Sequence, residues 1–120
     1  MVEYFEDCKG REHRALQAWL ILIGLAGNRQ TATYEQMSEL MSYGIGRNVK
    51  NALDPIFWYC EENDLPPVTS LVVLKHDGIP GAAFVEAYPN FAEVQAKVFN
   101  HDWYAVYPPT AEKFAELIGH

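Results

Sequence analysis

Apolar positions recur along this chain mostly at helical spacing. From Arg11 to Ala26, Leu16, Trp19, Leu20 and Ile23 fall on one side of a helix, and Gly27-Asn28 follows as a stop. In the next segment, TATYEQMSELM, Thr33 is an N-cap residue and Gln36 lies three positions on, the pair that closes a capping box. Met37, Leu40 and Met41 are expected to share the buried face of this second helix. After a break at 42–46, the stripe Ile45, Val49, Ala52, Leu53 and Ile56 predicts a third helix. Pro55 interrupts the stripe. Asp54-Pro55 resembles an N-cap followed by proline at the first helical position, so the stretch to Asn63 is expected as a kinked continuation or a fresh short helix that buries Phe57 and Cys60. Leu65-Pro66-Pro67 ends helical structure.

The period then changes. Val68–Leu74 is rich in β-branched residues, Ala82–Val85 is a second short apolar run, and Asp77-Gly78 is the strongest turn signal between them. Together they predict an antiparallel β-hairpin. Asn90 with Glu93 marks another helix start, with Phe91, Val94, Val98 and Phe99 on its apolar face. Thr110 is placed to cap a last helix through Ile118, packing Phe114 and Leu117. The expected architecture is α+β and a single domain over 1–120. Residues 31–82 are expected to form a winged-helix-like three-helix core with a β-hairpin wing, and residues 90–120 an extension of two C-terminal helices.

At 120 residues and 49% hydrophobic, the chain has enough apolar content to bury a core without staples. Nine Lys and Arg against sixteen Asp and Glu leave a net charge of −7. That balance argues against nonspecific DNA binding by the whole surface, because phosphate contacts dominate such affinity. It leaves room for one local basic face, and it suits a basic partner. Cys8 and Cys60 form no CxxC and are expected as reduced thiols. The opening MVEYFEDCKG lacks the basic and apolar regions of a signal peptide, and the run 18–26 is far short of a membrane span. The expectation is a cytoplasmic protein with no membrane contact.

The stretch YGIGRNVKNAL, Tyr43 to Leu53, is basic in an acidic chain. Arg47, Asn48, Lys50 and Asn51 fall at the start of the third helix, where a recognition helix presents side chains to the major groove. The plain alternative is a solvated helix face. Lys75 and His76 at the hairpin turn would touch phosphate as a wing, or serve only as a polar turn. His13, His76, His101 and His120 have no ligand at metal spacing, so no metal is expected. Glycines in GIG and GIPG belong to turns, not to a phosphate loop, and no cofactor is expected. Glu61, Glu62 and Asp64 cluster at a predicted helix C-terminus, where the dipole disfavours acids. They read either as a functional acidic patch or as a solvated loop. Among the aromatics of the C-terminal third, Tyr88, Phe99, Trp103, Tyr104 and Tyr107, most are expected in the core, and exposed tyrosines there would suit a protein interface.

The pattern T-x-TY-x-x-M, then R-x-V-x-x-AL, then a strand ending in DG, resembles the C-terminal DNA-binding domain of alkylguanine-DNA alkyltransferases and alkyltransferase-like proteins. It spans roughly 31–82. The resemblance implies that Arg47 is the finger that fills the gap left by a flipped nucleotide, and that Tyr34 helps rotate that nucleotide's phosphate. The family's P-C-H-R motif does not carry over. Counted back from Asp77-Gly78, its cysteine, histidine and arginine positions hold Ser70, Leu71 and Val72. No catalytic residue and no alkyl transfer are therefore expected. The chain also resembles a set of uncharacterised prokaryotic proteins through Tyr59-Cys60, Asn63, Leu65-Pro66-Pro67, Thr69, Leu71–Val73, Lys75, Gly78, Pro80-Gly81, Val98-Phe99 and Trp103, which implies no particular activity.

The leading expectation is a non-catalytic binding module in DNA transactions, with host defence or regulation as settings. It would contact duplex DNA weakly and with strong salt dependence, through Tyr34, Arg47, Asn48, Lys50, Asn51, Lys75 and His76. The alternative is an inhibitor or immunity-type protein whose acidic surface mimics DNA or neutralises a basic partner.

Overall fold

The computed structural model describes residues 1–43 and 49–118. Helix α1, Arg11–Gly27, forms where its period predicts, but its buried face is Ala15, Ala18, Trp19, Leu22, Ile23 and Ala26. Leu20, expected in the core, is 54% exposed. The apolar stripe of α1 is wide, and the helix turns its alanines inward because small residues let neighbouring helices approach closely.

Strand β1, Ala32–Thr33, runs straight into helix α2, Tyr34–Leu40. The capping box forms as expected: the Gln36 amide donates to Thr33 Oγ1 at 3.1 Å, and the Thr33 amide donates to Gln36 Oε1 at 2.9 Å. Met37 and Met41 are fully buried, whereas Leu40 is 57% exposed. Two methionines one turn apart give this short helix a single buried ridge, and Leu40 lies beside it. Arg14 of α1 donates to the Met41 carbonyl and stacks 4.4 Å over the Tyr43 ring, tying the end of α2 to α1.

Helix α3, Lys50–Glu62, passes through Pro55 without a break, so Asp54 is not the cap of a fresh helix. Pro55 has no N–H to donate to the carbonyl four residues back. That carbonyl, of Asn51, instead accepts from Arg11 Nε at 3.3 Å and from a terminal Arg11 nitrogen at 3.1 Å. A side chain of α1 thus replaces the missing bond of α3. Val49, Ala52, Leu53, Ile56 and Cys60 are buried as the stripe predicts; Ile45 lies outside the described residues.

Helices α1, α2 and α3 end alike. Arg29, Ser42 and Asp64 adopt φ of 54°, 55° and 53°. The following amides of Gln30, Tyr43 and Leu65 reach back to the carbonyls of Leu25, Ser38 and Cys60 at 2.9, 3.0 and 3.0 Å. These are Schellman closures built without glycine, each holding an L-residue in left-handed backbone at a cost of about 1–2 kcal/mol.

The predicted hairpin is where the structure departs most from the sequence reading. Val68–Leu71 is a 3₁₀ turn, and strand β2 is only Val72–Val73. It pairs with β1, in parallel, with Ala32 opposite Val72 and Thr33 opposite Val73. The turn itself forms: Gly78 has φ 69°, the Leu74 amide donates to the Ile79 carbonyl at 2.7 Å, and Val73 bridges Pro80 antiparallel. The ladder stops at Pro80, which has no N–H to continue it. Ala82–Val85, expected as the second strand, belongs to helix α4, Ala82–Ala87, whose alanines and glutamate favour that state.

Helix α5, Phe91–Asn100, buries Val94 and Val98, and helix α6, Ala111–Leu117, buries Phe114 and Leu117 with Thr110 capping the Lys113 amide at 3.2 Å. Trp19 centres the core, edge-on to Tyr59 at 5.6 Å and to Trp103 at 5.8 Å. Trp103 is buried and donates its indole N–H to the Val98 carbonyl at 2.7 Å. Tyr104 and Tyr107, by contrast, are 75% and 87% exposed. The architecture is α+β, mostly helical, with one two-stranded parallel sheet among the described residues. No helix among the described residues is long and apolar enough to cross a membrane.

Candidate functional site

The parallel pairing of β1 with β2 fixes the position of Tyr34. Thr33 is both the last residue of β1 and the cap of α2, so Tyr34 follows where the sheet gives way to helix, and it lines the same cleft as Val72. Helix α3 passes on the other side and presents Phe57 and Trp58, while α4 closes the space with Phe84. The result is a cleft of about 590 Å³ walled by these aromatic side chains, bordered also by Thr69, with Lys50 and Asp54 lining it from α3. Phe57 meets Trp58 edge-on at 5.3 Å and Phe84 at 6.2 Å, and Phe84 stacks on Tyr88 at 5.2 Å. The walls are therefore a continuous ring-to-ring assembly. Burial raises the pKa of the Tyr34 phenol, with Lys50 opposing and Asp54 adding to the shift. Tyr34 is a neutral donor at physiological pH.

Two buried side-chain hydroxyls, those of Thr69 and Ser70, have no hydrogen-bond partner among the described residues. Thr69 borders the cleft; Ser70 is fully buried and does not. Ser70 is held through its backbone instead, its carbonyl accepting from Gln95 Nε2 at 2.8 Å.

Of the site residues read from the sequence, the structure brings Tyr34 and Lys50 together at the cleft. Arg47 and Asn48 lie outside the described residues. Lys50 is exposed and pairs with Asp54 at 3.1 Å. Asn51 has its carbonyl engaged by Arg11. Lys75 pairs with Glu35, the neighbour of Tyr34, at 3.5 Å, which keeps it near the cleft. His76 pairs with Asp77 at 3.1 Å at the turn. Phe57, Trp58, Phe84 and Thr69 were not singled out as site residues. The adjacent aromatics Phe57-Trp58, neither of them fully buried, were the available signal.

A second cavity of about 440 Å³ lies at the C-terminal end of α3, between Cys60, Glu61, Asp64, Tyr88 and Lys97. The Tyr88 hydroxyl donates to Glu61, and burial together with that carboxylate pushes the phenol up to about 12. Burial likewise pushes the Cys60 thiol up to about 12. Glu61, Glu62 and Asp64 are all exposed, with Glu61 and Glu62 in the last turn of α3. Among the described residues no group of three His, Cys, Asp or Glu side chains is placed to hold a metal ion.

Compared with protein-family models, with curated proteins and with solved structures, the chain matches none. The resemblance to the alkyltransferases rests on the residues that carry it.

Proposed function

We propose that this chain is a non-catalytic DNA-binding module. The hairpin wing expected from the sequence does not form, since α4 stands where its second strand was expected, so the reading does not rest on a winged-helix fold. The observation that carries this reading is the aromatic cleft opening beside the start of α3. A nucleobase is flat and stacks well on aromatic walls, and a flipped or unpaired base needs such a recess. Lys50 lines the cleft and Lys75 pairs with Glu35, the neighbour of Tyr34, so two cations flank the recess where phosphates would pass. Lys50 and Lys75 must leave Asp54 and Glu35 to reach a phosphate. Exposed pairs of this kind contribute only about 0–1 kcal/mol each, so the exchange is open to them.

Salt dependence tests the reading. Two phosphate contacts give a slope of log affinity against log salt of about −1.8 on duplex DNA. Lys50→Ala with Lys75→Ala should flatten it by about 1.8. Absence of binding at low salt, or an unchanged slope in the double variant, overturns the proposal. The second reading then takes its place: a net charge of −7 and the exposed Tyr104 and Tyr107 favour a basic protein partner.

A further inference from the structure

The hydroxyl of Thr69 is an anomaly that the packing does not explain. Buried polar groups are hydrogen-bonded with few exceptions, since an unmet hydroxyl is a standing cost. Thr69 is 7% exposed, its Oγ1 has no partner among the described residues, and the residue borders the aromatic cleft. A threonine used only to fill space there would be better replaced by valine, its isostere. The hydroxyl also has no bond to lose. The oxygen itself is shut off from the cleft surface, so a bound ring meets it only when the side chain turns about χ1 to another staggered well.

We propose that Thr69 is the specificity-determining residue of the cleft: its hydroxyl hydrogen-bonds a polar ring atom of a planar nitrogen heterocycle held between the aromatic walls. This rests on the cleft being the binding site. Phe57, Trp58 and Phe84 supply area for any flat ring and do not distinguish a hydrocarbon from a heterocycle. A hydroxyl in a dry recess does distinguish them. A ring atom that accepts its proton satisfies the orphan group, and a hydrocarbon leaves it unmet. The same chemistry arises from a free heterocycle or from a base of a nucleic-acid strand.

The test uses the full chain, isotopically labelled, titrated with quinoline and with naphthalene, two rings of one shape that differ by a ring nitrogen. Chemical shifts of the Trp58 indole and the Thr69 amide report occupancy. Thr69→Val should weaken quinoline by about tenfold, the worth of one net hydrogen bond, and leave naphthalene unchanged or tighter. Thr69→Ser, which keeps the hydroxyl, should restore quinoline. A loss shared equally by both rings would assign Thr69 to shape alone, and an unchanged quinoline affinity in Thr69→Val would remove its role; either overturns the proposal. If wild type binds neither ring, the proposal falls together with the cleft, whereas the DNA reading fails separately on its salt slope. A duplex with one unpaired purine, compared with the same duplex abasic at that position, identifies the source. Given the loss on quinoline, a Thr69→Val loss on the purine duplex that the abasic duplex does not share assigns a nucleic-acid base, and no loss on either duplex assigns a free heterocycle.

Discussion

The Ser70 hydroxyl is fully buried and has no bond among the described residues. Ser70→Ala should therefore stabilise the protein. An unpaired buried hydroxyl costs about 1–3 kcal/mol, which the substitution removes. Against this, deleting one oxygen leaves a gap of roughly 15 Å³, which at about 24 cal/mol per Å³ costs ~0.4 kcal/mol. The net gain is about 0.6 kcal/mol at the low end of the hydroxyl range and about 1 kcal/mol just above it. For 120 residues, an unfolding entropy of about 2.1 cal/mol/K per residue gives ~0.25 kcal/mol/K, so Tm should rise by about 2–4 °C. Urea melts should show a matching midpoint shift with an unchanged slope. Gln95→Ala is the counterpart. It strips the bond to the Ser70 carbonyl, made at 2.8 Å, and should destabilise. A Ser70→Ala variant that loses 1 kcal/mol or more would show that the hydroxyl is bonded in solution and that the reasoning fails. The variant should also leave quinoline binding intact, because Ser70 does not border the cleft.

Arg11→Ala should cost about 0.5–1 kcal/mol, an exposed hydrogen bond to the carbonyl that Pro55 leaves without an in-helix donor. Most of that cost should vanish in a Pro55→Ala background, where the restored N–H serves Asn51, and a double-mutant cycle by urea melting measures the difference. Cys60, with its thiol pushed up to about 12 by burial, should react with a thiol reagent at pH 8 only on unfolding. The native state should label at Cys8 alone, and fast native labelling of two thiols would contradict the burial. Incubation with DNA carrying an alkylated guanine should leave the protein mass unchanged; an adduct on Ser70 or Cys60 would overturn the non-catalytic reading.

Helix existence was legible wherever one apolar period ran uninterrupted between a cap and a stop. Thr33 with Gln36 and Thr110 with the Lys113 amide are local bonds, and local pattern suffices to place them. Which face of a helix turns inward was less legible. Leu20 and Leu40 are as apolar as their buried neighbours, and only the shape of the facing helix decides between them. Pro55 misled for a related reason, since the donor that replaces its missing N–H comes from Arg11, 40 positions away. The cleft depended on the least legible step. Read as a strand, the chain from Phe84 to Tyr88 would separate the two rings by roughly 13 Å at about 3.3 Å per residue. As helix α4 it stacks them at 5.2 Å and sets Phe84 6.2 Å from Phe57. The aromatic wall thus exists because the ladder ends at Pro80 and the chain turns helical at Ala82. The loss of the expected wing and the presence of the cleft are one structural event. The surface we propose for binding is accordingly a recess between α3 and α4, and not the exposed ribbon that the sequence led us to expect.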